Sequence, residues 1–87
     1  MRACRVDANH RAIVEALEKV GCLVLDLSRI GHGCPDLLVR RGASWWLVEV
    51  KVTSGKLRPA QVAFAQRWTE AVFVVRSVDD ALKLVLA

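Results

Sequence analysis

The segment WWLVEVKV, residues 45–52, reads as a β-strand, apolar at first and alternating from Val48 onward. Successive strand side chains point to opposite faces, so Trp45, Leu47, Glu49 and Lys51 share one face and Trp46, Val48 and Val50 the other. The second set is plain core. The first begins apolar and finishes with an acid and a base side by side. Upstream, DLLVR (36–40) reads as a second strand, and RGAS (41–44) as the turn of a hairpin. In an antiparallel pair the start of one strand lies beside the end of the next, which carries Asp36 to Glu49 and Lys51. Two converging carboxylates repel unless a cation sits between them. Oxygen ligands of this kind suit Mg²⁺ or Mn²⁺, with the Val50 carbonyl as a further donor. Taken alone, Glu49 and Lys51 also fit an ordinary ion pair where a strand reaches water.

The remaining pattern supplies the rest of an α/β fold. VDANHRAIVEALEKVG (6–21) reads as a helix, capped by Asp7 or Asn9 and ended by Gly21, with Val6, Ile13, Leu17 and Val20 on one face. CLVLDL (22–27) is a short strand, and SRIGHGCP (28–35) a glycine-punctuated loop. After a break at TSGK, Pro59 opens a helix running to about Glu70. AVFVVR (71–76) is a fourth strand, and SVDDALKLVLA (77–87) a last helix with Ser77 or Asp79 near its cap. The order α-β-β-β-α-β-α predicts a central mixed sheet flanked by helices, one domain over residues 1–87. Gln61 shares an apolar helical stripe with Leu57, Phe64, Ala65 and Trp68, so its amide needs partners: nearby backbone, the carboxylate site or a phosphate.

Composition narrows the class. With 54% hydrophobic and 25% charged residues the chain folds, and no apolar run reaches the roughly 18–20 residues of a membrane span. No signal-peptide pattern opens it, so a cytoplasmic location is expected. Cys4, Cys22 and Cys34, odd in number and widely spaced, read as free thiols. The net charge is +4, and between Leu37 and Thr69 Glu49 is the lone acid among Arg40, Arg41, Lys51, Lys56, Arg58 and Arg67. That distribution suggests an anionic partner such as nucleic acid.

Asp36 after Pro35, then Glu49-Val50-Lys51, resembles the PD-(D/E)XK nucleases, whose α-β-β-β-α-β core has the same order. GHGCPDLLV, LVEVK and SGKLRPAQVAF are similar, more narrowly, to the VRR-Nuc branch, over about Asp7 to Val78. The resemblance implies a restriction-endonuclease-like fold and metal-dependent hydrolysis of DNA phosphodiesters. It implies that Asp36, Glu49 and the Val50 carbonyl hold Mg²⁺ or Mn²⁺, that Lys51 serves the attacking water, and that Gln61 matches the family's helix glutamine. Relatives often add an acid from the first helix. Glu15 and Glu18 point away from the Ile13–Leu17 face. The inward or flanking polar positions are Asn9 and His10, with Asp7 at the start, leaving Asp7 or His10 as candidates for the site. Lys56 and Arg58, with Ser54, Arg40 and Arg41 behind them, are candidates for the DNA backbone.

Stand-alone members of this branch resemble Holliday-junction resolvases. The expected partners are branched DNA and a second copy of the chain, with the dimer surface on the last helix or on AVFVV. Such compact forms look most like phage proteins, which places the activity in the host cytoplasm. Two alternatives stand beside the resolvase: a nuclease for flaps or nicked duplex, and a non-catalytic nucleic-acid-binding subunit.

Overall fold

The computed structural model describes residues 3–52, 54–69 and 71–87, with backbone alone for 3–7. Its elements are α1 (Ala3–Lys19), β1 (Leu23–Asp26), β2 (Leu37–Arg41), β3 (Ser44–Val50), α2 (Pro59–Arg67), β4 (Val72–Val75) and α3 (Val78–Leu86). The four strands form one sheet in the order β1-β2-β3-β4, antiparallel except for the parallel β3–β4 pair. This is the expected α/β architecture, a mixed sheet with helices against it.

Local chemistry explains most boundaries. Gly21 at φ 91° ends α1 in a Schellman arrangement, its N–H reaching Glu18 O at 3.0 Å and that of Cys22 reaching Leu17 O at 3.0 Å. The start of α1 corrects the expected cap: the helix already runs from Ala3, so Asp7 and Asn9 lie inside it. Ser77, rather than Asp79, caps α3, its hydroxyl accepting from the Asp80 N–H at 3.0 Å. The hairpin turn is tighter than RGAS. Arg41 pairs with Ser44, leaving Gly42 and Ala43 as a two-residue loop with Gly42 at φ 62°. Helix α2 stops at Arg67, short of the expected Glu70, which lies outside the described residues. Trp68 leaves the helical region at φ −108°, ψ 52°.

The sheet's two faces differ. Leu37, Val39, Val48 and Val75 pack with Ile13 and Leu17 of α1 and Ala81 and Val85 of α3 into the core. On the opposite face Leu47 is buried, but Leu23, Leu25 and Trp45 are largely exposed. Register puts these together: Leu23 pairs with Arg40, which pairs with Trp45, and Leu25 pairs with Leu38, which pairs with Leu47. One step beyond the Leu37–Val48 pair, Asp36 stands opposite Glu49 on this second face. The site is therefore at the end of the half-covered face.

Candidate active site

Asp36 is fixed from two sides. Its backbone carbonyl accepts from the Leu27 N–H at 2.7 Å, and its Oδ2 from the Val50 N–H at 2.8 Å. The side chain thus takes over the ladder where β2 has not yet begun, which brings it to the end of β3. Glu49 is buried, 3% exposed, although nothing about an alternating strand end requires it. The cover comes from α2. Gln61, also buried, donates through Nε2 to Glu49 Oε2 at 2.8 Å, while its Oε1 accepts from the Arg58 N–H at 2.8 Å. The amide orientation follows from chemistry: a carboxylate needs a donor and an N–H needs an acceptor. Gln61 acts as the third residue of a capping box on one side and fixes the carboxylate on the other.

Lys51 Nζ lies 3.6 Å from Glu49 Oε2, and its backbone N–H reaches Val75 O at 3.0 Å. Burial, then the charge of Asp36, raises the Glu49 carboxyl from 4.5 to about 7, against the lowering effect of the Lys51 ammonium. Cys34 lies near the same carboxylates. Burial first, then Glu49 and Asp36, raises its thiol, the opposite of what a nucleophile needs.

The loop GHGCP places these groups by backbone geometry. Gly31, His32 and Gly33 are successively left-handed, at φ 75°, 57° and 80°. A Cβ on Gly33 would stand 2.1 Å from Ala60 O, so the loop touches the first turn of α2 where only glycine fits. That contact brings Gln61 within reach of Glu49.

A cavity of about 420 Å³ collects His10, Asp36, Glu49, Val50, Lys51, Lys56, Arg58 and Gln61. These eight are among the site residues expected from the sequence, His10 included. Its Nε2 is buried without a hydrogen-bond partner among the described residues, 4.0 Å from Asp26 Oδ2. The Asp7 side chain lies outside the described residues. Glu15 and Glu18 are exposed, as expected. Ser54 is exposed on the β3–α2 connection, outside the cavity lining. Arg40 and Arg41 are not brought to the site. They lie four and five residues along β2 from Asp36, roughly 13–17 Å away. Their Nε groups are tied to Gly42 O at 2.8 Å and Val20 O at 3.3 Å. Asn9 takes the inward-facing role rather than the cap: its Nδ2 donates to Lys51 O at 3.4 Å, linking α1 to the end of β3.

Among the described residues no three His, Cys, Asp or Glu side chains cluster. The oxygens available to a hard cation are those of Asp36, Glu49 and the Val50 carbonyl. The Asp36 and Glu49 carboxyl groups lie within hydrogen-bond reach of each other. Two carboxyl groups forced against each other, one of them resisting ionisation without a counter-charge, and an orphaned His10 nitrogen fit a divalent cation with its bound water.

A four-stranded mixed sheet in this order, with paired acids and a lysine at the shared end of β2 and β3, defines a restriction-endonuclease-like protein. Among solved structures, a chain described as a VRR_NUC domain superposes with a TM-score of 0.76. It is 34% identical over 93% of this chain and 94% of its own. The protein belongs to the VRR-Nuc family. No protein-family model and no curated protein matches the chain.

Proposed function

We propose that the protein is a Mg²⁺- or Mn²⁺-dependent endonuclease that hydrolyses DNA phosphodiesters, suited to four-way junctions and acting as a homodimer. The observation that carries this reading is the convergence of Asp36, Glu49, Lys51 and Gln61 in one cavity rimmed by Lys56 and Arg58. Asp36, Glu49 and the Val50 carbonyl are the residues that would hold the cation. Bound there, it would supply Lewis-acid polarisation of the phosphate and a water acidic enough to attack near neutral pH. Lys51 presents a fixed ammonium to the charge that grows on the phosphate. Gln61 occupies one lone pair of Glu49 and so fixes the orientation of the carboxylate. Lys56 and Arg58 neutralise flanking phosphates, which positions a backbone without reading bases. A two-fold dimer offers two equivalent sites to a junction that itself has two-fold symmetry.

The test is a labelled panel of four-way junction, flap, nicked duplex, plain duplex and single strand, with Mg²⁺, Mn²⁺ or chelator. Paired symmetric cuts in the junction, lost with chelator, are expected. Glu49→Gln is expected to slow cleavage by at least about 10²-fold while junction binding persists. A Glu49→Gln protein cutting at the parental rate overturns the reading. Binding of every substrate with cleavage of none turns the domain into a binding module. Preference for flap or nicked duplex keeps the chemistry and replaces the substrate.

A further inference from the structure

We infer that Arg76 is a positioning residue, whose guanidinium sets the connection between β3 and α2 and thereby places Lys56 and Arg58 at the site. Arg76 follows the last residue of β4, beside Lys51, since Val50 pairs with Val75 across the parallel strands. Its Nη1 donates to two backbone carbonyls of the connection, Val52 O at 3.0 Å and Gly55 O at 2.5 Å. The Gly55 N–H itself closes on Val52 O at 2.9 Å, so one cationic group captures both carbonyls of a single turn. The far side of Arg76 is anchored as well, its backbone N–H donating to Asp80 Oδ2 at 2.9 Å in the first turn of α3.

The span from Lys51 to Arg58 is thus held at three points. Lys51 is held by Val75 O, Arg58 by Gln61, and the turn between them by Arg76. Without the middle hold, Lys56 sits on a free stretch between Lys51 and Arg58, and Arg58 keeps the tie of its backbone to Gln61. Arg76 is absent from the lining of the site cavity, so its effect on substrate runs through the residues it places. Spending an arginine on loop carbonyls beside Lys51, Lys56 and Arg58 adds like charge to a basic region, and the carbonyl dipoles offset that charge locally. The role rests on reading the cavity as a phosphodiester site.

The experiment compares wild type, Arg76→Met, Arg76→Lys, the Lys56→Ala/Arg58→Ala pair, and that pair combined with Arg76→Met. Junction affinity is measured in a Glu49→Gln background, and kcat and KM in the active protein. Arg76→Met is expected to weaken affinity and raise KM about tenfold, with kcat within about twofold. Arg76→Lys, whose single ammonium is a poorer match for two carbonyls, falls between. Adding Arg76→Met to the Lys56→Ala/Arg58→Ala pair is expected to cost nothing more. An additive loss would show that Arg76 meets the phosphate itself and overturns the inference, as does a lowered melting temperature with KM unchanged. Amide exchange of residues 54–58 gives an answer independent of DNA. Faster exchange in Arg76→Met supports the clamp even if the wild type cuts nothing, and unchanged protection sinks it.

Discussion

Glu49 is the residue whose physics most constrains the protein. It is nearly fully buried beside another carboxylate, and its carboxyl is pushed from 4.5 to about 7 by burial and by Asp36. The folded chain therefore binds this proton more tightly than the unfolded chain does. The stability linked to it is complete below about pH 4.5 and is lost as pH rises through about 7. Above that window the loss is on the order of 3 kcal/mol. Asp26, lowered by its hydrogen bonds from Ser28, titrates below the window and does not mask the effect. Without metal, the melting temperature should fall between pH 5 and pH 8. The proposed cation competes with the same proton, so Mg²⁺ should raise the melting temperature little at pH 5.5 and by several degrees at pH 8. Glu49→Gln should flatten both trends. A metal-free melting temperature that climbs across this window, or an equal Mg²⁺ increment in the Gln variant, would contradict the account.

At the scale of elements, the site depends on how closely α2 approaches the loop before β2. Gly33 combines a left-handed φ of 80° with a position where a Cβ would meet Ala60 O at 2.1 Å. Gly31 has a similar φ of 75° and nothing within 4 Å. Gly31→Ala carries only the backbone strain, about 1 kcal/mol. Gly33→Ala must also displace α2, at a total of roughly 3 kcal/mol or more, and it pulls Gln61 from Glu49. Thermal melts should therefore separate the two alanine variants clearly, and equal losses would show that the contact does not matter. This contrast also marks what the sequence disclosed. Asp36, Glu49 and Lys51 were readable because a period of two and a short turn fix which side chains meet across a hairpin. Gly33 was readable as punctuation, but its reason, a helix 27 residues later, was not. Gln61 showed as a polar residue needing partners, and only tertiary contact revealed that it serves a cap and a carboxylate together. Asn9 looked like a cap because its preference for helix starts is strong. Inside α1 it instead faces inward, as its place beside His10 allowed, and only the tertiary structure shows that its partner is Lys51 O. Arg76 left no trace in the pattern, since its partners are carbonyls that any residue could supply.

The whole molecule has one closed sheet face and one half-open face. Helices α1 and α3 seal the first. On the second, α2 approaches at the Glu49 end, and Leu23, Leu25 and Trp45 stay 70%, 57% and 56% exposed. The apolar surface expected on the last helix or on β4 is smaller in degree: Phe73, Val74 and Leu86 are 36%, 37% and 48% exposed. Three of the largest exposed apolar side chains, Leu23, Leu25 and Trp45, lie together on this face. We therefore propose the open face as the surface on which a second copy docks. Arg40 lies within it, but its guanidinium is folded back onto Gly42 O, which lessens repulsion between two copies. The patch lies on the same sheet face as Asp36 and Glu49, further along the strands. Sedimentation of the wild type should give twice the chain mass at micromolar concentration. Leu25→Glu with Trp45→Glu should give the single-chain mass with an unchanged circular dichroism spectrum, because neither side chain is in the core. Junction cleavage by that variant should lose its paired symmetry while single cuts persist. A wild type that sediments as one chain would remove the dimer. A dimer that survives both glutamates but breaks with Leu86→Glu would move it to α3.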